Sequence, residues 1–523
     1  MKSSALKHIR VVFSTLVLFA LALLFIDFRG LIPEKAFKPL LYFQFVPSLL
    51  KFAIAGVATA TGFLAVIILT VLSGRTYCSF LCPLGILQDV ISRAGGTFKR
   101  RFRKYGYKKP YTILRYFILA MTAGILLLGG VYVLTILDPY STFGRFMTYF
   151  AKPVVIFLNN QVAALLGKFD IYTIYKVDIK AYALAVYAVP ASFFFLVGLL
   201  AFRYGRLYCN TVCPVGTFLG LLSKVSIFRI RFDEDKCTRC GRCAAACKSS
   251  CIDFLNRHVD NSRCVNCFNC LDSCSEKAMS YGPVRLKKRE TKAEPDESRR
   301  QFIVGSLFML AGTSHLLNAQ DSSPKPAPKP TKDSTVKEDR LYPVSPPGSV
   351  GLEKFTDRCT ACSLCVSACP TKVLQPSVKE YGFAGIMQPR MDYHSGFCNY
   401  ECTICTDICP TGAIMPLVLE AKKLTQIGKA VFIKDNCIVN TERTACGACS
   451  EHCPTKACSM VPFEGTLVIP EVIDEICIGC GACEHACPTK PYKAIFVDGN
   501  PIHEVAQKPE IKELKVTTDD FPF

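Results

Sequence analysis

The chain has 523 residues, of which 30 are cysteine and none is tryptophan. Its mean hydropathy of +0.28 excludes an entirely soluble fold and predicts that part of the chain lies in a membrane. The formal net charge of +20 could suggest a nucleic-acid binder. We expect no nucleic-acid partner, because the basic residues concentrate beside apolar segments, as the positive-inside rule requires of a membrane protein.

Four apolar segments are long enough to cross a hydrocarbon layer of ~30 Å, which needs about 20 helical residues. They cover residues 11–26, 52–73, 111–137 and 181–202. Basic residues before the first segment and between residues 99 and 109 place both of these stretches in the cytoplasm. No small-residue cleavage site follows the first segment, so we expect a retained helix rather than a signal peptide. Residues 1–225 are therefore predicted to form a four-helix membrane domain.

The membrane domain contains an internal repeat, GRTYCSFLCPLG at residues 74–85 and GRLYCNTVCPVG at residues 205–216. Each copy ends a two-helix hairpin, so the two C-x-x-x-C-P motifs should reach the same face and bring four thiols together. These thiols are Cys78, Cys82, Cys209 and Cys213. Four thiolates are the number that a [4Fe-4S] cluster requires. The alternatives are cysteines that only pack helix ends, or two redox-active dithiols.

Residues 226–285 contain the spacing C-x2-C-x2-C-x3-C twice. In this pattern three cysteines surround one [4Fe-4S] cluster and the fourth reaches the neighbouring cluster. One predicted ligand set is Cys237, Cys240, Cys243 and Cys274, and the other is Cys264, Cys267, Cys270 and Cys247. Zinc is disfavoured because its sites use two well-separated C-x2-C pairs. The proline that usually follows the fourth cysteine is replaced by Lys248 and Ser275, and Cys251 is expected to be a spare buried thiol.

The next segment, residues 286–320, contains the sequence ESRRQFIV at residues 297–304, followed by an apolar stretch to about residue 317. It resembles a twin-arginine export signal built on Arg299 and Arg300. This route carries folded cargo, which suits a domain whose clusters are inserted in the cytoplasm. The apolar stretch would be a fifth span or would be cleaved. Seven prolines in residues 321–350 predict an extended linker.

Residues 351–500 hold four more cysteine motifs, and residues 501–523 are expected to form a C-terminal tail. The predicted ligands are Cys359, Cys362, Cys365, Cys369, Cys398, Cys402, Cys405, Cys409, Cys437, Cys446, Cys449, Cys453, Cys477, Cys480, Cys483 and Cys487. Proline follows the fourth cysteine of each motif, and Cys458 is left over. Disulfides, which are common in exported domains, are disfavoured by the repeated ferredoxin spacing. The sequence thus predicts membrane helices joined to α+β bacterial-ferredoxin-like domains, with six [4Fe-4S] clusters and a possible seventh in the membrane.

With these motifs established, residues 1–285 resemble NapH, the membrane ferredoxin of the periplasmic nitrate reductase system, and its NosR and CcoG relatives. The resemblance includes the spans, both C-x-x-x-C-P motifs, the paired cluster motifs and the sequence DPYS at residues 138–141. From Arg299 onward the chain is similar to NapG and NrfC, exported proteins with four clusters, and the whole looks like a natural fusion. The resemblance implies that the first C-terminal motif pairs with the fourth and the second with the third. Cys369 would then serve the cluster of Cys477, and Cys487 that of Cys359. Sequential pairing is the alternative.

The same resemblance implies a quinol dehydrogenase module that feeds an exported reductase. We expect a protein of the bacterial inner membrane, with its two-cluster domain in the cytoplasm and its four-cluster domain in the periplasm. Because a ~30 Å membrane is too thick for one electron hop, a mobile quinol is expected to connect the two sides. The alternatives are a CcoG-like assembly or metal-reducing factor, and electron flow from a cytoplasmic redox partner into quinone. The sequence contains no nucleotide fingerprint and no haem-attachment motif, and it identifies no catalytic residue.

Overall fold

The computed structural model describes residues 3–30, 33–55, 61–98, 105–284 and 336–508. The predicted twin-arginine signal, the proposed fifth span and most of the predicted linker lie outside these residues. The described chain consists of a helical N-terminal region followed by two small α+β regions. We call the first of these, residues 226–284, the two-motif region, and the second, residues 336–508, the four-motif region.

The N-terminal region contains thirteen described α-helices. They are α1 (Ser3–Ile26), α2 (Glu34–Tyr42), α3 (Phe45–Ala55), α4 (Thr61–Ser73), α5 (Tyr77–Phe80), α6 (Pro83–Phe98), α7 (Thr112–Leu127), α8 (Tyr132–Leu137), α9 (Pro139–Phe146), α10 (Lys152–Leu166), α11 (Leu184–Tyr204), α12 (Leu207–Thr211) and α13 (Pro214–Ser223). A π-helical turn, Met147–Ala151, joins α9 to α10, and a 3-10 turn, Gly167–Phe169, follows α10.

Three of these helical segments are long and apolar enough to cross a membrane, namely Ala5–Ile26, Pro139–Phe169 and Leu184–Tyr204. The first and third coincide with predicted spans. The prediction of four spans is not confirmed, because α4 has 13 residues and α7 has 16, and each is shorter than a span. Helix α7 ends at a pair of glycines, of which Gly129 has φ +90°, a conformation that commonly terminates helices. The span at 139–169 was not predicted, because polar residues interrupt its apolar pattern.

Helix α1 contacts both α+β regions, which we also call the soluble regions: the two-motif region near its start and the four-motif region at its end. Near its start, Lys7 forms an ion pair of 2.6 Å with Asp272 of the two-motif region. At its end, the carbonyl oxygen of Phe25 accepts a hydrogen bond from Ser367 of the four-motif region. Lys7 and Phe25 are 18 residues apart, which corresponds to about 27 Å of α-helix. The two soluble regions therefore lie at opposite ends of a helix about as long as a membrane is thick.

Each soluble region has an α+β ferredoxin-like organisation of short helices and antiparallel strand pairs. In the two-motif region, β1 (Phe228–Phe232) pairs with β4 (Met279–Pro283), and β2 (Ile252–Asp253) pairs with β3 (His258–Val259). Its helices are α14 (Arg242–Ala246) and α15 (Asn269–Asp272), and they pack on each other. Each helix carries the third cysteine of its motif, so the helix start fixes that thiol toward the strand pairs.

The four-motif region is also built from short helices and antiparallel strand pairs, of which three are described. Its strand pairs are β5 (Leu374–Pro376) with β6 (Pro389–Met391), β8 (Cys458–Pro462) with β9 (Val468–Val472), and β7 (Thr425–Phe432) with β10 (Ile495–Val505). Its α-helices are Leu352–Thr356, Leu364–Ala368, Ile404–Ile408, Leu419–Leu424, Ile438–Thr441, Ala448–Glu451 and Ala482–Ala486, and Lys434–Asn436 is a 3-10 turn. The core of the region consists largely of cysteine and aliphatic side chains.

Two predicted domain limits differ from the structure. Residues 344–349, assigned to the linker by their prolines, are buried, and the backbone N–H of Tyr342 donates to Asp498 over 3.0 Å. The extended backbone that proline favours can dock on a domain as well as span a gap, so residues 336–350 are part of the four-motif region. At the other end, β10 continues to Val505, beyond the predicted limit of residue 500.

Candidate iron-sulfur sites

The two-motif region brings its eight predicted ligands into two groups. Cys237, Cys240, Cys243 and Cys274 line one cavity of about 340 Å³. In the second group, burial and then the nearby thiols Cys267, Cys264 and Cys247 raise the pKa of Cys270 well above its usual value. Each group therefore contains three cysteines of one motif and the fourth of the other. This is the crossed arrangement predicted from the spacing.

The first two motifs of the four-motif region form a second crossed pair. Burial raises the pKa of Cys365, and Cys362, Cys359 and Cys409 raise it further. Burial likewise raises the pKa of Cys405, with further contributions from Cys398, Cys369 and Cys402. Four crowded, buried thiols resist ionisation because each thiolate would repel the others. Bound iron supplies the positive charge that offsets this repulsion.

The last two motifs pair in the same way. Cys437, Cys446, Cys449 and Cys487 line a cavity of about 360 Å³, and Cys453, Cys477, Cys480 and Cys483 line one of about 330 Å³. The pairing implied by the resemblance is therefore wrong, since Cys369 lies with Cys398 rather than Cys477, and Cys487 lies with Cys437 rather than Cys359. Sequential pairing is the arrangement in the structure. It joins motifs that are close in sequence, which keeps the closed loops short.

A threonine beside the fourth cysteine was missed in the sequence. Each fourth cysteine of the four-motif region belongs to a C-P-T triplet, whose threonine hydroxyl approaches the thiol. The Sγ to Oγ1 distances are 3.6 Å for Cys369 and Thr371, 3.6 Å for Cys409 and Thr411, 3.7 Å for Cys453 and Thr455, and 3.2 Å for Cys487 and Thr489. The repeated triplet was the available signal. A hydrogen bond to a ligand sulfur is one of the factors that set cluster potential.

The two C-x-x-x-C-P repeats converge inside the helical region. Cys78, Cys82, Cys209 and Cys213 are each 3–4% exposed and belong to one packed core. The loops cross each other, because Arg75 Nη2 donates to the carbonyl of Cys209 over 3.1 Å and Arg206 Nη1 donates to that of Cys78 over 2.7 Å. These equivalent contacts confirm the expected pseudo-twofold convergence. We call these four thiols the membrane thiol site.

A glycine in each repeat makes this crossing possible. A Cβ atom at Gly85 would lie 2.4 Å from the carbonyl oxygen of Cys78 and 2.7 Å from Arg206. At Gly216 a Cβ atom would lie 2.3 Å from the carbonyl oxygen of Cys209 and 2.8 Å from Arg75. Both distances are far below van der Waals contact, so any larger residue would push the arginines away from the opposite loop.

The surroundings of the membrane thiol site carry an excess of buried positive charge. Asp89 forms ion pairs with Arg10 at 2.6 Å, Arg206 at 2.9 Å and Lys248 at 3.4 Å. Arg75 is fully buried, lies 3.8 Å from Cys78 Sγ, and forms no ion pair with a carboxylate among the described residues. Four cations thus face one carboxylate, a net charge of +3. Ligand thiolates would place negative charge beside these cations, and a buried charge is stable only when it is paired.

Two thiols remain outside these groups. Cys251, predicted to be a spare buried thiol, is 1% exposed, and its Sγ lies 3.5 Å from that of Cys247. Cys458 is 3% exposed, begins β8 and lines the same cavity as Cys453, Cys477, Cys480 and Cys483 without belonging to their motifs. Their burial agrees with a packing role. All 30 cysteines are free thiols in the structure, so none is joined in a disulfide.

Family comparisons agree with this geometry. A "4Fe-4S binding domain" model matches residues 55–105 and 185–233, the two stretches that contain the membrane thiols. A "4Fe-4S dicluster domain" model matches residues 358–413 and 442–491. A further dicluster model matches residues 260–373, and another 4Fe-4S binding model matches residues 230–253. The two matches of the first dicluster model correspond to the two crossed pairs of the four-motif region.

Three curated relatives are similar over part of their length. An uncharacterized protein of Methanocaldococcus jannaschii is 26% identical over 41% of this chain and 67% of its own length. The methylamine utilization ferredoxin-type protein MauN of Methylorubrum extorquens is 26% identical over 37% of this chain and 54% of its own. The putative electron transport protein YccM of Escherichia coli is 25% identical over 35% of this chain and 44% of its own. No solved structure gives a significant match.

The motifs, the fold and these matches together define a class. The chain is an iron-sulfur electron-transfer protein with several [4Fe-4S] ferredoxin domains, and its apolar helices associate it with a membrane. Within that class it is similar to ferredoxin-type electron-transport proteins such as MauN and YccM.

Proposed function

We propose that the chain holds seven [4Fe-4S] clusters and transfers electrons between the quinol pool and an exported redox partner. The observation that carries the proposal is the convergence of Cys78, Cys82, Cys209 and Cys213 in a buried, positively charged site. A packing role for these cysteines does not account for Arg75, a buried cation with no carboxylate partner among the described residues. Two dithiols do not account for the crossed contacts between the loops.

The other six clusters would be held by the six groups of four thiols in the soluble regions. One-electron storage and transfer is the chemistry that these clusters supply when bound. The protein's contribution is to fix the thiols, exclude water and set the local charge. Burial of the thiols excludes water, and the threonines of the C-P-T triplets can form hydrogen bonds to the ligand sulfurs. Both features change cluster potential.

We place the two-motif region in the cytoplasm and the four-motif region in the periplasm. This orientation follows from the basic N-terminal segment and the basic connection at residues 99–109. The contacts of α1 support it, because Lys7 meets the two-motif region and Phe25 meets the four-motif region. An internal twin-arginine signal at Arg299 and Arg300 would then export the four-motif region, as in a fusion of NapH-like and NapG-like chains.

A cavity beside the membrane thiol site is our candidate for the quinol ring. It is partly open to the surface and is lined by Tyr111, Tyr204, Leu207 and Asn210, with Lys108, Lys109 and Arg263 at its polar side. Asn210 adjoins Cys209 and accepts a hydrogen bond of 2.8 Å from Arg75, so a ring in this cavity would be close to the site. Oxidation of a quinol releases two electrons and two protons. The electrons would enter the clusters singly, and the protons would leave to water on the same face.

The test combines metal analysis with a redox titration of the purified full-length protein. We expect about 28 irons per chain, at four per cluster, and reduction of the clusters by a menaquinol or ubiquinol analogue. Filling the cavity with Leu207→Trp should abolish reduction by quinol but leave reduction by dithionite intact. The matched control is Leu199→Trp, at a position of α11 that is 52% exposed. Iron replaced by zinc, or no reduction by any quinol, would contradict the proposal.

A further inference from the structure

We infer that electrons cross the membrane inside this chain, passing between the two soluble regions through the membrane thiol site without a mobile carrier. The inference rests on the proposed seventh cluster. It differs from the expectation that quinol must connect the two sides, because that expectation assumed no redox centre between them. The contacts on each side of the membrane thiol site carry the inference.

On the first side, the membrane thiol site meets the second ligand group of the two-motif region. The Ser79 hydroxyl donates to the carbonyl of Val265, and Arg75 Nη1 donates to the carbonyl of Ser262 over 3.0 Å. Ser79 follows Cys78 in the sequence, and Val265 follows Cys264. The path from the Cα atom of Cys78 to that of Cys264 through the hydrogen bond between Ser79 and Val265 is therefore no longer than about 15 Å. Cys267 itself packs in the same core as the four membrane thiols.

On the second side, the site meets the first ligand group of the four-motif region. Tyr208, the neighbour of Cys209, donates through its hydroxyl to the carbonyl of Leu137 over 3.0 Å. Two residues earlier, Thr135 Oγ1 donates to the carbonyl of Val131 over 3.0 Å and also lies 3.4 Å from the carbonyl oxygen of Cys359. The side chains between the two groups are buried, since Tyr208 is 1% exposed and Thr135 is 3% exposed. A buried connection of side chains and backbone thus joins the sites.

Helices α9 and α1 fix the four-motif region at this position. Tyr140 and Phe143 pack in one core with Cys362, and a Cβ atom at Gly144 would lie 2.4 Å from the Cys362 carbonyl oxygen. The Tyr149 hydroxyl lies 3.0 Å from that of Ser363. These contacts are with the loop of Cys359, Cys362 and Cys365, so the first ligand group of the region faces the membrane helices.

The membrane thiol site lies between the two-motif region and the four-motif region, where an intermediate redox centre would shorten each electron-transfer step. Each repeat follows a helix, α4 or α11, that ends beside the two-motif region. The chain then reverses direction, and the repeat returns among the N-terminal helices. Ser73, at the end of α4, accepts a hydrogen bond of 3.0 Å from Tyr281 of that region, whereas Leu81, next to Cys82, packs against the core that contains Cys362 of the four-motif region. Such non-helical backbone is stable in a membrane only when protein surrounds it, as here. The site therefore lies between the ligand groups of the two regions and divides the distance between them into two shorter steps.

The proposed transfer balances without protons. A one-electron reductant on one face would supply the electron and a one-electron oxidant on the other face would take it, and the thiol groups between them would hold the centres that pass it on. Charge crosses the membrane in the process, so a counter-ion must move to sustain it.

The experiment uses the full-length protein in quinone-free lipid vesicles, with dithionite outside, ferricyanide trapped inside, and valinomycin with potassium to collapse the membrane potential. We expect ferricyanide reduction at least ten-fold faster than in protein-free vesicles. The variant with Cys78, Cys82, Cys209 and Cys213 all changed to Ser should lose this excess but keep about 24 irons. The matched control is Ala163→Ser, which places one hydroxyl at a buried position of α10 and should transfer electrons at the wild-type rate.

The iron count separates the two possible failures. If the wild type has about 28 irons and shows no excess transfer, the internal route is overturned while the seven-cluster proposal stands. If the quadruple variant keeps its iron at about 28, the membrane cluster itself is refuted. Should the quadruple variant fail to fold, pulsed EPR on the wild type gives a second test. The internal route predicts enhanced spin relaxation from magnetic coupling between the membrane cluster and a neighbour on each side, and isolated relaxation of that cluster would overturn it.

Discussion

The ion pairs of Asp89 provide a sharp test of the buried charge cluster. Replacing Asp89 with Asn removes the one carboxylate that contacts Arg10, Arg206 and Lys248, whose side chains are 6%, 1% and 8% exposed. Breaking a buried ion pair by removing one partner costs about 3–5 kcal/mol, because it leaves an uncompensated buried charge. We therefore expect Asp89→Asn to lose about 4 kcal/mol of stability.

The assay is fluorescence-detected size-exclusion chromatography of the detergent-solubilised protein after heating. The matched control is Asp272→Asn, which breaks the ion pair of Lys7, where the two side chains are 30% and 36% exposed. That pair also joins α1 to the two-motif region, yet an exposed pair is worth no more than about 1 kcal/mol. Equal heat stability of the two variants would refute the assignment of a buried, charge-dense site around Asp89.

Three further predictions concern the four-motif region. Replacing Thr411 with Val should lower the midpoint potential of one cluster in an EPR-monitored titration, because a hydrogen bond to ligand sulfur is lost; an unchanged set of potentials would contradict this. Burial lowers the pKa of His503 to about 4. Between about pH 6.5 and pH 4 only the unfolded chain takes up a proton at this residue, so the free energy of unfolding should fall by about 2–3 kcal/mol as the pH is lowered through this range. His503→Gln should remove this slope from heat-stability curves, and an unaltered slope would exclude His503. Iron analysis should show that Cys359→Ser with Cys409→Ser loses only one cluster, whereas Cys359→Ser with Cys487→Ser loses two, and the reverse result would restore the pairing of the first motif with the fourth.

Much of the site was predictable because its chemistry is local. The spacing of Cys237, Cys240 and Cys243 bends a short loop around one cavity, and the following helix carries the fourth cysteine to its neighbour. The same local geometry explains why sequential pairing occurs in the four-motif region. The repeat of the sequence around Cys78 and Cys209 predicted convergence, since equivalent segments commonly pack about a twofold axis.

Other features depend on contacts between residues far apart in sequence. The depth of the membrane thiol site was not predictable, because it results from chain reversals held by Arg75 and Arg206. Hydropathy predicted α1 and α11, but it merged α7 with α8, since the glycines between these two helices hardly change an average over twenty residues. The docking of residues 336–350 was missed because a proline-rich segment has the same composition whether it spans a gap or lies on a domain.

The most direct test of the central claim is the iron and acid-labile sulfide content of two anaerobically purified proteins, the wild type and the variant with Cys78, Cys82, Cys209 and Cys213 changed to Ser. Seven clusters predict about 28 irons and 28 sulfides in the wild type and about 24 of each in the variant, with one EPR signal missing. Equal iron and sulfide in the two proteins would contradict a cluster at the membrane thiol site and remove the centre on which transfer across the membrane depends.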